Sequence, residues 1–114
     1  MKRLCLLLIL AMPAAAADRK ALPWERPGRQ VALGRDLYRE NCIVCHDIEG
    51  KKTNKPGPSL HRLFKNEKLP LSGGKPSREY VDVKIKFGGQ LMPPFVKRMT
   101  DAEIAAVIAY LEAR

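Results

Sequence analysis

Two cysteines and a histidine stand together in the segment Cys42-Ile43-Val44-Cys45-His46. Residues three positions apart lie on the same side of a helical turn, so the Cys42 and Cys45 sulfurs face the same space, and His46 can turn its ring toward it. The C-x-x-C-H pattern is typical of c-type haem attachment, in which both sulfurs form thioether bonds to the porphyrin. A histidine commonly provides one axial ligand to haem iron. The motif therefore predicts that Cys42, Cys45 and His46 hold one haem c.

Other uses of a C-x-x-C pair fit the rest of the chain less well. A structural zinc needs four ligands, whereas the sequence has no second C-x-x-C and only one further histidine, His61. A thioredoxin-type dithiol needs a βαβ setting, and no segment has that pattern. A plain disulfide between Cys42 and Cys45 stays open at this point.

The N-terminus has the order of a secretory signal peptide. Two basic residues precede a nine-residue apolar run, which a proline and four alanines follow (residues 2–3, 4–12 and 13–17). This order is typical of a cleaved signal, and the run is too short for a bilayer, which needs about 20 apolar residues. We expect a signal peptide over residues 1–17, cleaved after Ala16 or Ala17, and one periplasmic domain over 18–114 with no membrane span after cleavage.

Three segments have helical patterns, and no two strand-like runs could pair. Residues 30–41 precede the haem motif. In residues 77–87 the apolar side chains also alternate as in a strand, but Ser77 as N-cap and Gly88-Gly89 as a stop favour a helix. Thr100 and Glu103 form a capping box that opens a helix to about residue 113, with an apolar face of Ile104, Val107, Ile108 and Leu111 and with Tyr110 beside it. We also expect a helical turn over residues 59–64.

Three side chains are candidates for the second axial position on the iron: Met92, Met99 and His61. Met92 lies in residues 88–95, a segment too rich in glycine and proline for a helix or a strand, where iron ligation explains a methionine better than packing does. Met99 immediately precedes a helix cap and is predicted to lie in the core. Met/His ligation is the pattern of cytochromes c, so Met92 is the expected ligand.

These pieces, in this order, resemble the class I cytochromes c through nearly the whole mature chain. The matching segments are Gly34-x-x-x-Tyr38, the Cys42 to His46 motif, residues 57–64, residues 92–95 and the end of the last helix. The resemblance implies an all-α small cytochrome c fold, with three to four helices packed around one covalently bound haem. It also implies that Gly34 and Tyr38 cross the last helix near Val107 and Tyr110. The Pro58 carbonyl is then expected to accept a hydrogen bond from the His46 ring. The short segment between residues 64 and 92 is similar to the compact bacterial periplasmic type.

The basic residues are unevenly distributed. Residues 51–98 contain twelve Lys or Arg but only three Asp or Glu, and the formal net charge of the whole chain is +9. A basic face of this kind steers a protein toward an acidic partner, such as a dehydrogenase, a reductase or an oxidase. Nucleic acid is not an expected partner of an exported protein. A merely solubilising surface is the alternative.

The function predicted from the sequence is one-electron transfer on a haem c with His46 and Met92 as axial ligands, by a carrier and not an enzyme. Two alternatives remain open. One is a haem-bearing electron-transfer subunit of a periplasmic dehydrogenase, and the other is a haem c protein with an open or labile sixth site.

Overall fold

The computed structural model describes residues 26–114, which form helices and loops and contain no strand. The elements are α1 (Pro27–Asn41), a short 3-10 helix (Leu63–Lys65), α2 (Arg78–Phe87) and α3 (Asp101–Glu112). The predicted all-α fold is confirmed. The predicted signal peptide lies outside the described residues. No helix within residues 26–114 is long and apolar enough to cross a membrane.

α1 begins three residues before the predicted start at Gln30. Pro27 occupies the first helical turn, where its missing N–H costs nothing because that donor would have no intrahelical partner. The proline and glycine at positions 27 and 28, which look like loop residues in the sequence, therefore belong to the helix.

α1 and α3 cross at Gly34, and this crossing is the centre of the fold. A Cβ atom added to Gly34 would overlap the carbonyl oxygen of Ala106 and lie 2.9 Å from Cβ of Tyr110. The rings of Tyr38 and Tyr110 pack with their centroids 5.6 Å apart, a separation within the favourable range for aromatic pairs. The crossing implied by the resemblance is therefore present, with Ala106 in contact beside Tyr110.

α2 is a helix and not a strand. The Ser77 hydroxyl accepts a hydrogen bond from the Tyr80 N–H at 3.1 Å, and Gly88 ends the helix with a φ of 70°. Val81 and Ile85 are buried on one side, while Val83 and Phe87 are exposed. The alternation seen in the sequence is therefore a helical face of four-residue spacing, and both predicted caps are confirmed.

The capping box of α3 has both of its hydrogen bonds. The Thr100 hydroxyl accepts from the Glu103 N–H at 3.2 Å, and the Glu103 carboxylate accepts from the Thr100 N–H at 2.8 Å. All five predicted apolar positions of α3 are buried: Ile104, Val107, Ile108, Tyr110 and Leu111. α3 is thus the main core element, as its sequence predicts.

The expected helical turn over residues 59–64 is wrong in its bounds. The Ser59 hydroxyl accepts a hydrogen bond from the His61 N–H at 3.1 Å, and such local side-chain bonds compete with helix formation. The 3-10 helix begins only at Leu63, after Arg62 has taken a left-handed conformation with a φ of 50°.

Candidate haem-attachment site

The attachment turn, residues 42–46, continues directly from the end of α1. The Cys42 N–H donates to the Tyr38 carbonyl at 2.8 Å, and the N–H groups of Cys45 and His46 donate to the Cys42 carbonyl at 3.1 and 3.0 Å. Both cysteines are half-buried free thiols. Before a haem is attached, burial, with a smaller effect of Cys45, raises the pKa of the Cys42 thiol to about 11. The two sulfurs are thus carried by one turn and are not joined in a disulfide.

The His46 ring is held by the loop that follows the turn. Its Nδ1 lies 2.7 Å from the carbonyl oxygen of Pro58. Because a carbonyl can only accept, Nδ1 carries the proton, and the lone pair of the neutral ring is on Nε2. This leaves Nε2 as the atom that can bind a metal, and a hydrogen bond at the other nitrogen orients such a ligand and raises its basicity.

Gly57 allows the loop to approach the turn closely. Its N–H donates to the Cys45 carbonyl at 2.7 Å, and an added Cβ would lie 2.6 Å both from that oxygen and from Cε1 of His46. Only glycine fits at this position. Gly57 belongs to one of the segments that resemble cytochromes c, but no sequence pattern predicts its contact with the His46 ring.

The backbone of His46 is held from α1 and from the same loop. The buried Tyr38 hydroxyl donates to the His46 carbonyl at 2.8 Å. Burial is the main cause that raises the pKa of Tyr38 to about 12, so the hydroxyl remains a donor at all ordinary pH values. The Lys55 ammonium also approaches this carbonyl, at 3.3 Å. Sequence reasoning missed the role of Lys55, because a lysine in a loop rich in proline and glycine carries no periodic signal.

Met92 lies on a separate loop between α2 and α3. Its side chain is half-buried and packs against the core, while Leu91 beside it is 88 % exposed. The Met92 carbonyl accepts from the Gly89 N–H at 2.9 Å. A Cβ at Gly88 would overlap that same carbonyl oxygen. The loop therefore closes on itself directly after α2.

Met99 and His61, the other two candidates for the second axial position, each contact other parts of the chain. Met99 is buried in the core, as predicted. His61 places its Nδ1 3.2 Å from the Ile48 carbonyl. In residues 26–114 the structure therefore brings Cys42, Cys45 and His46 together, and it gives Met99 a packing role.

The donor set and its surroundings fit a haem. Two thiols stand on one turn beside an imidazole with a free Nε2, and a thioether is available on the Met92 loop. Several large apolar side chains on the attachment turn, on α2 and on the Met92 loop are exposed, and a porphyrin is a group that could cover such surface: Ile43, Val44, Val83, Phe87 and Leu91. No group of three or more His, Cys, Asp or Glu within the described part of the chain could hold a metal ion alone, so the zinc alternative finds no ligand set there.

Three of the twelve basic residues between positions 51 and 98 form ion pairs. Lys55 pairs with Asp47 and Arg78 with Glu112, while Lys86 lies 2.8 Å from Asp82 and 3.2 Å from Asp101, and these contacts raise the pKa of Lys86. The other nine have no ion pair with a described residue. Lys86, which the sequence analysis counts toward a basic face, instead joins α2 to the start of α3.

Comparisons with known proteins assign the chain to a family. Residues 29–111 match the family model described as cytochrome c oxidase, cbb3-type, subunit III. The chain is 30% identical over 84 residues to cytochrome c6 of Bryopsis maxima, a match covering 74% of this chain and 91% of the relative. It is also 30% identical over 81 residues to cytochrome c6 of Diacronema lutheri, covering 71% and 92%. No solved structure matches. The chain therefore belongs to the small monohaem class I c-type cytochromes, which carry one covalently bound haem c.

Proposed function

We propose that this protein transfers single electrons between redox proteins, on a haem c whose iron is ligated by His46 and Met92. The haem supplies the Fe(III)/Fe(II) couple when bound, and Cys42 and Cys45 provide its thioether links. The observation that carries the proposal is the 2.7 Å contact between His46 Nδ1 and the Pro58 carbonyl. This contact fixes the tautomer and leaves Nε2 available as a ligand.

The assignment of Met92 is supported by its surroundings. The side chain is half-buried on a loop held by a glycine cap, and the competing Met99 is already in the core. Thioether sulfur is a soft donor that favours Fe(II), and Met/His ligation raises the reduction potential. If His46 and Met92 hold both axial positions, no open position would be left on the iron for a substrate. The protein is therefore a carrier and not an enzyme by itself.

The cellular setting is part of the same proposal. A signal peptide over residues 1–17, cleaved after Ala16 or Ala17, would deliver a single domain over 18–114 to the periplasm. Covalent haem attachment then supplies a staple for a domain that small.

The expected partners are acidic redox proteins: a dehydrogenase, a reductase or an oxidase. Nine lysines and arginines between positions 51 and 98 without an ion pair to a described residue support a basic docking face. The description of the matching family names an oxidase subunit, which supports an oxidase as the electron acceptor. The same description favours a second candidate, in which this chain is the haem-bearing subunit of a larger enzyme.

The test is intact-mass spectrometry of the exported protein followed by a redox titration. We expect the mass of a chain starting at residue 17 or 18 plus one haem, and a titration curve for a single electron. A chain that retains residues 1–16 would contradict the signal peptide. A mass without haem would contradict the site, and a haem that binds oxygen or carbon monoxide readily would favour the open sixth position.

A further inference from the structure

The Lys55 side chain crosses from its loop to the attachment turn. Its ammonium nitrogen lies 2.6 Å from the Ile43 carbonyl, 3.3 Å from the His46 carbonyl and 2.9 Å from the Asp47 carboxylate. A lysine ammonium has three N–H donors, and these three acceptors can use all of them. The side chain is only 33% exposed, so this lysine is not a free surface charge.

The carbonyl groups that Lys55 contacts, those of Ile43 and His46, lie in the turn that follows α1. The attachment turn extends the C-terminal end of α1, where carbonyl oxygens have no intrahelical N–H partner and carry partial negative charge. A cation close to this end interacts favourably with the helix dipole, and Lys55 also donates to two carbonyls of the turn itself. Lys55 therefore closes the turn that carries both cysteines and His46.

The loop itself positions Lys55. The Lys55 N–H donates to the Thr53 hydroxyl at 3.0 Å, and that hydroxyl donates to the Asp47 carboxylate. The Thr53 and Lys55 contacts together lower the pKa of Asp47. In the same loop, Gly57 lies close to the His46 ring and the Pro58 carbonyl contacts its Nδ1. One loop thus holds His46 both at its ring and at its carbonyl.

We propose that Lys55, paired with Asp47, is a positioning residue for the axial ligand His46 and that the two opposite charges offset each other's effect on the balance between Fe(III) and Fe(II). The inference rests on the proposed function, in which His46 binds the iron. Lys55 and Asp47 compensate each other electrically beside the ligand. Removing the cation leaves the carboxylate uncompensated and favours Fe(III), whereas removing the carboxylate leaves the cation and favours Fe(II).

The test uses Lys55→Met and Asp47→Asn, which remove one charge each and keep a side chain of similar length. At a fixed applied potential, we expect Lys55→Met to raise the ratio of Fe(III) to Fe(II) and Asp47→Asn to lower it. Each change should be about two- to tenfold, as expected for one unit charge partly screened by solvent. Lys55→Arg keeps the positive charge, so its ratio should stay close to that of the wild type.

Lys52→Met is the matched control. Lys52 lies in the same loop, is exposed and has no ion pair with a described residue, so its loss should change the ratio much less than the loss of Lys55. If Lys52→Met and Lys55→Met have equal effects, the contact with the turn is irrelevant and the proposal is wrong.

The two signs separate a charge effect from a loss of structure. If both Lys55→Met and Asp47→Asn shift the ratio in the same direction, or leave it unchanged, the proposal is overturned. The wild-type spectrum, measured first, reports His46 ligation separately. Intact ligation with shifts of the wrong sign overturns the role of Lys55 alone, whereas a wild type without a histidine-ligated haem overturns both this inference and the proposed function.

Discussion

The two sides of the proposed haem site are built very differently. On one side, His46 is held by Pro58 at its ring and by Tyr38 and Lys55 at its carbonyl. On the other side, the Met92 loop follows the C-cap of α2, and the Met92 carbonyl accepts a hydrogen bond from the N–H of Gly89. The histidine side is held by contacts from α1 and from the loop that contains Lys55 and Pro58, whereas on the methionine side Met92 packs against the core from one short loop. Loss of the cysteines on the first side should therefore affect haem retention and stability, whereas damage to the Met92 loop should affect mainly the sulfur–iron bond.

The largest effect is expected at the attachment turn. The double variant Cys42→Ser, Cys45→Ser cannot form thioether bonds, and the domain has no other covalent staple in residues 26–114. We expect loss of bound haem in intact-mass spectra and a poorly folded chain by circular dichroism. A haem-free double variant with full native helicity would contradict the view that the haem stabilises this side of the molecule.

The next largest effect is expected where α1, the helix that leads into the attachment turn, crosses α3. Gly34→Ala would place a methyl group onto the Ala106 carbonyl, and such overpacking costs about 1–3 kcal/mol or more of the free energy of unfolding. Gly28→Ala is the matched control in the same helix, because its Cβ would meet nothing within 4 Å, and we expect a change within about 0.5 kcal/mol. Urea unfolding of the haem-loaded proteins measures both. Equal stabilities would show that the helices do not pack closely at Gly34.

A smaller effect, of a different kind, is expected at Gly88 on the methionine side. Gly88 and Gly73 both have a positive φ, 70° and 68°, so replacement of either by alanine carries a strain of about 1–3 kcal/mol. Only at Gly88 would the new Cβ also overlap the Met92 carbonyl. We therefore expect Gly88→Ala to weaken the sulfur–iron(III) absorption band while the haem stays attached, and Gly73→Ala to leave the band intact. The same band strength in both variants would contradict the dependence of Met92 on this cap.

How much the sequence predicts also differs between the two sides. Helix caps and the haem motif are local patterns, so Ser77, the Thr100–Glu103 box and the turn after α1 follow from the sequence. The contacts of Lys55 and Gly57 join residues about ten positions apart through an irregular loop, and no periodicity encodes them. α1 begins earlier than its apolar pattern predicts because Pro27 fits the first helical turn. The 3-10 helix begins later than predicted because the Ser59 hydroxyl accepts a hydrogen bond from the His61 N–H.

The smallest effect is expected from the basic residues beside the Met92 loop. Lys84 and Lys97 flank the loop in the sequence, and neither has an ion pair with a described residue, whereas Lys86 is engaged by Asp82 and Asp101. We expect Lys84→Gln or Lys97→Gln to lower the association rate with an acidic redox partner by a few fold at low salt. Screening should reduce this difference as ionic strength rises, since the Debye length is about 10 Å at 0.1 M salt.

Arg29→Gln is the control for this comparison, because Arg29 is exposed on the first turn of α1. Stopped-flow kinetics across a salt series compares the three variants. A rate independent of salt, or equal losses at all three positions, would mean that the charge serves solubility alone. Arg19 and Lys20 are also far from the Met92 loop in the sequence and would be further controls, but they lie outside the described residues.

The central claim is that His46 and Met92 ligate the iron, and the most direct measurement is the absorption spectrum of the ferric protein with its reduction potential. The wild type should show the weak sulfur–iron(III) charge-transfer band toward the red. Met92→His should lose that band, remain six-coordinate and have a lower potential, because nitrogen replaces a soft sulfur. Met99→Leu should keep both the band and the potential, since Met99 is buried in the core. Loss of the band in Met99→Leu, or its survival in Met92→His, would contradict the assignment.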